Sequence, residues 1–127
     1  MKKQVGLWID HRKAVVVNLA AEGEEINTIQ SEMEKHTRFA SGSSEDGSSE
    51  DVRDRQYAGH LSKYYDGVIA YIREADSIFI LGPGEAKGEL AKRLEHEALG
   101  GRITGIESAD KMTDHQVAAS VRRHFSA

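Results

Sequence analysis

The stretch ILGPGEAKGELAKRL, residues 80–94, holds the residues whose types and spacing come nearest to a recognisable chemistry. An apolar run stops at Gly82-Pro83-Gly84, and a helical pattern follows at once with Lys87 near its start. Glycines let a ligand approach the backbone, and a helix N-terminus carries unpaired N–H groups and partial positive charge. Gly82, Gly84 and Lys87 are therefore candidates for contact with an anion or an RNA phosphate. The competing reading is a plain strand-to-helix turn, and it is the one expected, because Glu85 and Glu89 already complement the helix field. Neither G-x-x-x-x-G-K-[ST] nor G-x-G-x-x-G is present; the second would need glycine where Lys87 stands.

Other residue types offer less. Asp10 ends the first apolar run, and a carboxylate there could hold a divalent cation if further oxygen ligands converged on it. The fourth apolar run ends in Leu81-Gly82 with no acid, so Asp10 is expected to bond the backbone of a hairpin turn instead, and no metal site is expected. Six histidines, at 11, 36, 60, 96, 115 and 124, are scattered without the i, i+4 spacing of a helical zinc site. His36 and His60 flank a polar tract and could meet in space. No G-x-S-x-G elbow exists, and Ser43, Ser44, Ser48 and Ser49 lie in that tract, where nothing would preorganise a nucleophile. Trp8 and Tyr71 are expected to pack. Arg122 and Arg123 suit the end of a last helix, and with Lys111 they could form a small basic patch.

Composition narrows the classes. The 127 residues are 39% hydrophobic and 30% charged, an ordinary globular balance for one domain. A formal net charge of −4 argues against a protein built mainly to grip phosphate backbones. There is no cysteine, which excludes disulfides, thiolate nucleophiles and thiolate metal sites. The opening residues MKKQVGLWIDHRK lack the apolar run of a signal peptide, and no apolar stretch approaches a membrane span. A cytoplasmic protein without a cofactor or membrane partner is expected.

The elements that must position these residues follow from hydrophobic spacing. Val5, Leu7 and Ile9 alternate with Gly6, Trp8 and Asp10; after a polar break, Val15-Val16-Val17 runs on to Leu19; past Gly23, Ile26 and Thr28 keep period two to about Met33. These read as an antiparallel three-stranded meander. Residues 40–54, ASGSSEDGSSEDVRD, bury too little apolar surface to offset ordering entropy and are expected to form a mobile loop. Leu61, Tyr65, Val68 and Ile72 recur at helical spacing. SIFIL reads as a buried central strand. Ala86, Leu90, Leu94 and Ala98 define a second helix, expected to stop at Gly100-Gly101, and RITGIES a fifth strand. Thr113 and Gln116 fit a capping box before the stripe Val117, Val121, Phe125. The order β-β-β-α-β-α-β-α predicts an α/β fold: a mixed five-stranded sheet with helices packed on it, ribonuclease H-like, in a single domain over residues 1–127.

GLWIDHRKAVVVNL, the GPGEAKGEL turn and this element order together resemble the central domain of the archaeal and eukaryotic class-one release factors and of their ribosome-rescue relative Pelota. The small bacterial single-domain proteins of this type are the nearest in character. The resemblance spans nearly the whole chain, and it implies the fold and a translation-linked role with the ribosome or a translation factor as partner. In true release factors the loop before the first helix carries Gly-Gly-Gln, whose glutamine helps water attack peptidyl-tRNA. Here Gln56 follows Arg55, with no Gly-Gly before it, and the surrounding tract is acidic. Hydrolytic activity is therefore not carried over, and Arg53, Arg55 and Gln56 remain as candidates for partner contact. The reading is a non-catalytic, translation-associated binding protein. The alternatives are an interaction module unrelated to translation and a metal-dependent nuclease using Asp10. The oligomeric state is left open.

Overall fold

The computed structural model describes residues 3–20, 23–31 and 50–126; of residues 50–58 and 60 it describes the backbone only. The chain runs β1 (Gln4–Ile9), β2 (Lys13–Ala20), β3 (Gly23–Gln30), α1 (Glu50–Ile72), β4 (Ser77–Gly82), α2 (Ala86–His96), a 3₁₀ turn (Gly100–Arg102), β5 (Ile103–Ser108) and α3 (Asp114–Ser126). The five strands form one sheet in the order β3-β2-β1-β4-β5. β1 pairs antiparallel with β2 and parallel with β4, and Leu7 sits opposite Val16 on one side and Ile80 on the other. β2–β3 is antiparallel and β4–β5 parallel. The expected mixed sheet and element order are thus the observed ones.

Strand alternation divides the buried residues between two faces. Val5, Leu7, Ile9, Val16, Ile78 and Ile80 pack against α1 and α2, which contribute Tyr64, Tyr65, Val68, Ile72, Leu90 and Leu94. Trp8, Val15, Val17, Phe79 and Leu81 pack against α3 through Val117, Ala118 and Val121. Both sides of the central strands are therefore dry, which is why β4 reads as a continuous apolar run. Gly6 lets α3 come this close: a Cβ there would stand 2.3 Å from Val121 Cγ2. Trp8 is 2% exposed, and its indole N–H donates to Asp110 O at 3.0 Å.

Four expectations change in detail. α1 begins at Glu50, well ahead of its first apolar stripe residue, so residues 50–54 are helical rather than loop, and residues 40–49 lie outside the described residues. β3 ends at Gln30, where Ser31 N donates to Arg12 O at 2.9 Å; Met33 lies outside the description. α2 ends at His96 rather than at the Gly100-Gly101 pair. The left-handed position is taken by Ala98 (φ 62°), with Leu99 N on Leu94 O at 2.7 Å and Ala98 N on Glu95 O at 3.0 Å. This is a Schellman closure built without glycine. Tyr71 is 42% exposed and lies beside Glu25, so it does not pack in the core. The capping box stands as read: Thr113 N donates to Gln116 Oε1 at 2.9 Å, and Gln116 N to Thr113 Oγ1 at 3.2 Å. Among the described residues no helix is long and apolar enough to cross a membrane.

Candidate functional site

In open α/β sheets ligands gather beyond the C-terminal ends of parallel strands. Here those ends are Ile9-Asp10 on β1 and Leu81-Gly82 on β4, side by side. The two carry different turns.

The β4 turn is shaped by missing side chains. Gly82 has φ 155°, and a Cβ there would stand 2.2 Å from the carbonyl oxygen of Ile9. Its own carbonyl accepts from Ala109 N at 3.0 Å. Gly84 has φ 61° with open space around it. Lys87 Nζ folds back to donate to Gly84 O at 2.5 Å, closing the turn from outside. Gly82, Gly84 and Lys87 thus meet in one turn, and close β1–β4 packing accounts for Gly82 without a ligand.

The β1 turn is shaped by side chains. Asp10 Oδ1 accepts from Arg12 N and Lys13 N, both at 2.8 Å, while Asp10 N donates to Lys13 O at 3.0 Å. Tyr64 OH, from α1, donates to Asp10 O at 2.9 Å. Burial, followed by the charge of Asp10 and the neighbouring Tyr65, pushes the Tyr64 hydroxyl upward, so it stays protonated as a donor. Next to it, Glu89 Oε1 of α2 receives Tyr65 OH at 2.5 Å and His11 Nε2 at 2.9 Å. An ionised carboxylate only accepts, so the His11 Nε2 must carry a proton. Partial burial would push Glu89 upward. The hydrogen bonds from Tyr65 and His11, with the charges of His11 and Lys92, outweigh burial and hold it below the ordinary carboxylate range. Arg93 lies 5.6 Å from the Tyr65 ring and reaches Asp66 Oδ1 at 2.8 Å and Ser62 Oγ at 2.6 Å.

The chemistry available to this corner is limited. Glu89, held anionic and already accepting two hydrogen bonds, is a weak base. Asp10 spends one carboxylate oxygen on two backbone donors. Among the described residues no group of three His, Asp or Glu side chains could hold a metal ion. The corner ties the β1–β2 turn to α1 and α2.

The remaining candidates fall elsewhere. Arg53, Arg55 and Gln56 lie in the first turns of α1, on a helix rather than in a loop. His36 lies outside the described residues, as does the His60 side chain. His124 stacks on Phe79 with ring centroids 3.8 Å apart and bonds Thr104 Oγ1 at 2.8 Å. Arg122 pairs with Glu24 across to β3, so it is not part of an open basic patch; Lys111 and Arg123 line a shallow groove with Asp110 and Met112. The His11–Glu89–Tyr65 junction was not foreseen from sequence. Tyr65 read as core and Glu89 as a helix-field carboxylate, and no local spacing links three residues on three elements.

No protein-family model matches the chain. No curated protein matches it in sequence either. Solved structures do match in shape. The Pelota protein of Thermoplasma acidophilum superimposes with a TM-score of 0.60 over 99% of this chain and 32% of its own, at 17% identity. The Archaeoglobus fulgidus Pelota gives 0.59 over 96% and 31%, at 14% identity. The archaeal translation termination factor aRF1 gives 0.53 over 98% and 39%, at 10% identity. The chain spans about a third of the length of these proteins. Its fold is that of a Pelota/aRF1-like central domain.

Proposed function

We propose that the chain is a cytoplasmic, non-catalytic, translation-associated binding protein that contacts the ribosome or a translation factor. The observation that carries this reading is the likeness of nearly the whole chain to a Pelota and to an archaeal translation termination factor. Two features of the chain support the non-catalytic part. The Gly-Gly-Gln of release factors is absent, with Arg55 standing before Gln56. At the strand ends, the polar side chains are engaged in holding the turns: Asp10 on the backbone, Glu89 on Tyr65 and His11. The same engagement of Asp10 weighs against the metal-dependent nuclease. The proposed contact residues are Arg53, Arg55 and Gln56 at the start of α1, and Gly82, Gly84 and Lys87 at the β4 turn.

Ribosome sedimentation of the tagged protein from a lysate tests the reading. The protein is expected in the ribosomal pellet at low salt and in the supernatant at high salt, because contact with RNA phosphates is salt-dependent. Recovery only in the free fraction at low salt would refute it and favour an interaction module unrelated to translation.

A further inference from the structure

The two edges of the sheet differ in composition. β3 carries charge: Glu24 pairs with Arg122, and Glu25 lies beside Tyr71. β5, Ile103–Ser108, contains no Lys, Arg or Pro, and Glu107 is its one charged residue. It pairs with β4 on one side and ends the sheet on the other. Ile106, on this strand, is 44% exposed. A straight edge of this composition would offer its outer N–H and C=O groups to any extended strand, β5 of another copy included.

β5 is not straight. Ile103 pairs with Ile78, but Gly105 pairs with Phe79, so Thr104 is an extra residue in the ladder. Such a β-bulge bends the edge strand and interrupts the repeat that an added strand would follow. Its effect shows in the way the side chains face. Ile103 packs on the α1/α2 core and Ile106 lines the groove beside α2, although residues three apart on a regular strand face opposite ways. Thr104 and Gly105, consecutive in sequence, both face α3. Thr104 Oγ1 lies 2.8 Å from His124 Nε2, and a Cβ on Gly105 would stand 3.3 Å from His124 Cε1 and from Phe79 Cδ1.

The bulge residue is held from both sides. The Thr104 hydroxyl donates to Ile78 O at 3.1 Å. It has one proton, so it must accept from His124, whose Nε2 therefore carries a proton. The imidazole is fixed in turn by its stack on Phe79, with centroids 3.8 Å apart, and by the edge contact with Phe125 at 4.9 Å. We propose that the Thr104 bulge, locked by His124, is the device that keeps the β5 edge from accepting another strand. The last turn of α3 thus does for β5 what charge does for β3.

Sedimentation equilibrium from micromolar to millimolar concentration tests this. The unmodified chain should keep the mass of one chain throughout. Thr104→Val retains the branched shape without the hydroxyl, and His124→Phe retains the stack without the donor. Both should rise with concentration toward the mass of two chains or more. His124→Gln keeps an N–H donor and should stay monomeric, as should Asp10→Ala, which is destabilised far from β5. Adding Ile106→Lys to Thr104→Val should restore the monomer by charging the same edge. The proposal is overturned if the unmodified chain associates, if Thr104→Val and His124→Phe stay monomeric, or if His124→Gln associates as readily as His124→Phe. It is also overturned if Asp10→Ala associates like the β5 variants, since association would then follow lost stability alone, or if Ile106→Lys fails to reverse it. Ring nitrogen chemical shifts of the unmodified chain give a readout that needs no variant: the neutral His124 ring should carry its proton on Nε2, and a proton on Nδ1 would remove the lock.

Discussion

The turns that end β1 and β4 lie side by side and solve the same problem by opposite means. The β1 turn is held by what its residues carry: the Asp10 carboxylate on two backbone N–H groups, Tyr64 on the Asp10 carbonyl, His11 on Glu89. The β4 turn is held by what its residues lack, since Gly82 must clear the Ile9 carbonyl and Gly84 must take a left-handed conformation. The difference teaches how to read polar residues and glycines at the place where this sheet class binds ligands. Both kinds of signal are present, and packing between the two turns accounts for most of them.

Substitutions should separate the two turns by size of effect. Gly82→Ala should do the greatest damage, because the new Cβ meets the Ile9 backbone and the φ is one that side chains rarely adopt. A loss of about 3 kcal/mol or more in urea unfolding, or failure to fold, is expected from overpacking and backbone strain together. Gly84→Ala, with open space around it, should cost only the left-handed backbone term of about 1–2 kcal/mol. Equal losses at both glycines would break the steric account of the β4 turn.

At the β1 turn, Asp10→Ala should cost about 1 kcal/mol, since the freed N–H groups can reach water. Asp10→Asn keeps an acceptor oxygen and should recover most of it. A loss at Asp10→Ala as large as at Gly82→Ala would erase the contrast between the turns. The Glu89 junction adds a pH signature. A carboxylate whose folded value lies below its unfolded value of 4.5 stabilises the fold fully above that value. Its contribution should fade as pH falls below about 4.5 through the folded value, and Glu89→Gln should flatten that part of the urea-midpoint profile. A profile identical in Glu89→Gln would show that the junction with Tyr65 and His11 does not hold the charge. Lys87→Ala should change stability least, by less than about 0.5 kcal/mol, while weakening ribosome association. A large stability loss there would make the Lys87–Gly84 bond a structural clamp instead of a contact point.

Much of this was legible in the sequence, and the misses have physical causes. Period two through Val5, Leu7 and Ile9 marked a strand, and the β-branched run 15–17 a buried one. Thr113 and Gln116 announced the start of α3 three residues apart. The Asp10 turn could be read because an Asx turn is local. The start of α1 could not: residues 50–54 are Glu, Asp, Val, Arg and Asp, with no apolar stripe to distinguish helix from loop. The end of α2 was misplaced because glycine is the usual left-handed residue, and here Ala98 takes the role ahead of the pair at 100–101. Gly82 carries a constraint that its own stretch of sequence does not reveal. Its constraint is the Ile9 carbonyl, which becomes a neighbour only when β1 and β4 pair. The His11–Glu89–Tyr65 junction depends on three elements converging, and no window of the sequence contains it.

The central claim is that this fold binds without catalysing. The most direct test is a purified ribosome assay carrying peptidyl-tRNA in the peptidyl site, in which bound protein and released peptide are read from the same sample. The account predicts saturable, salt-sensitive binding with peptide release at the background rate, unchanged by Gln56→Ala. Release above background that depends on Gln56, or no binding at low salt, would contradict it.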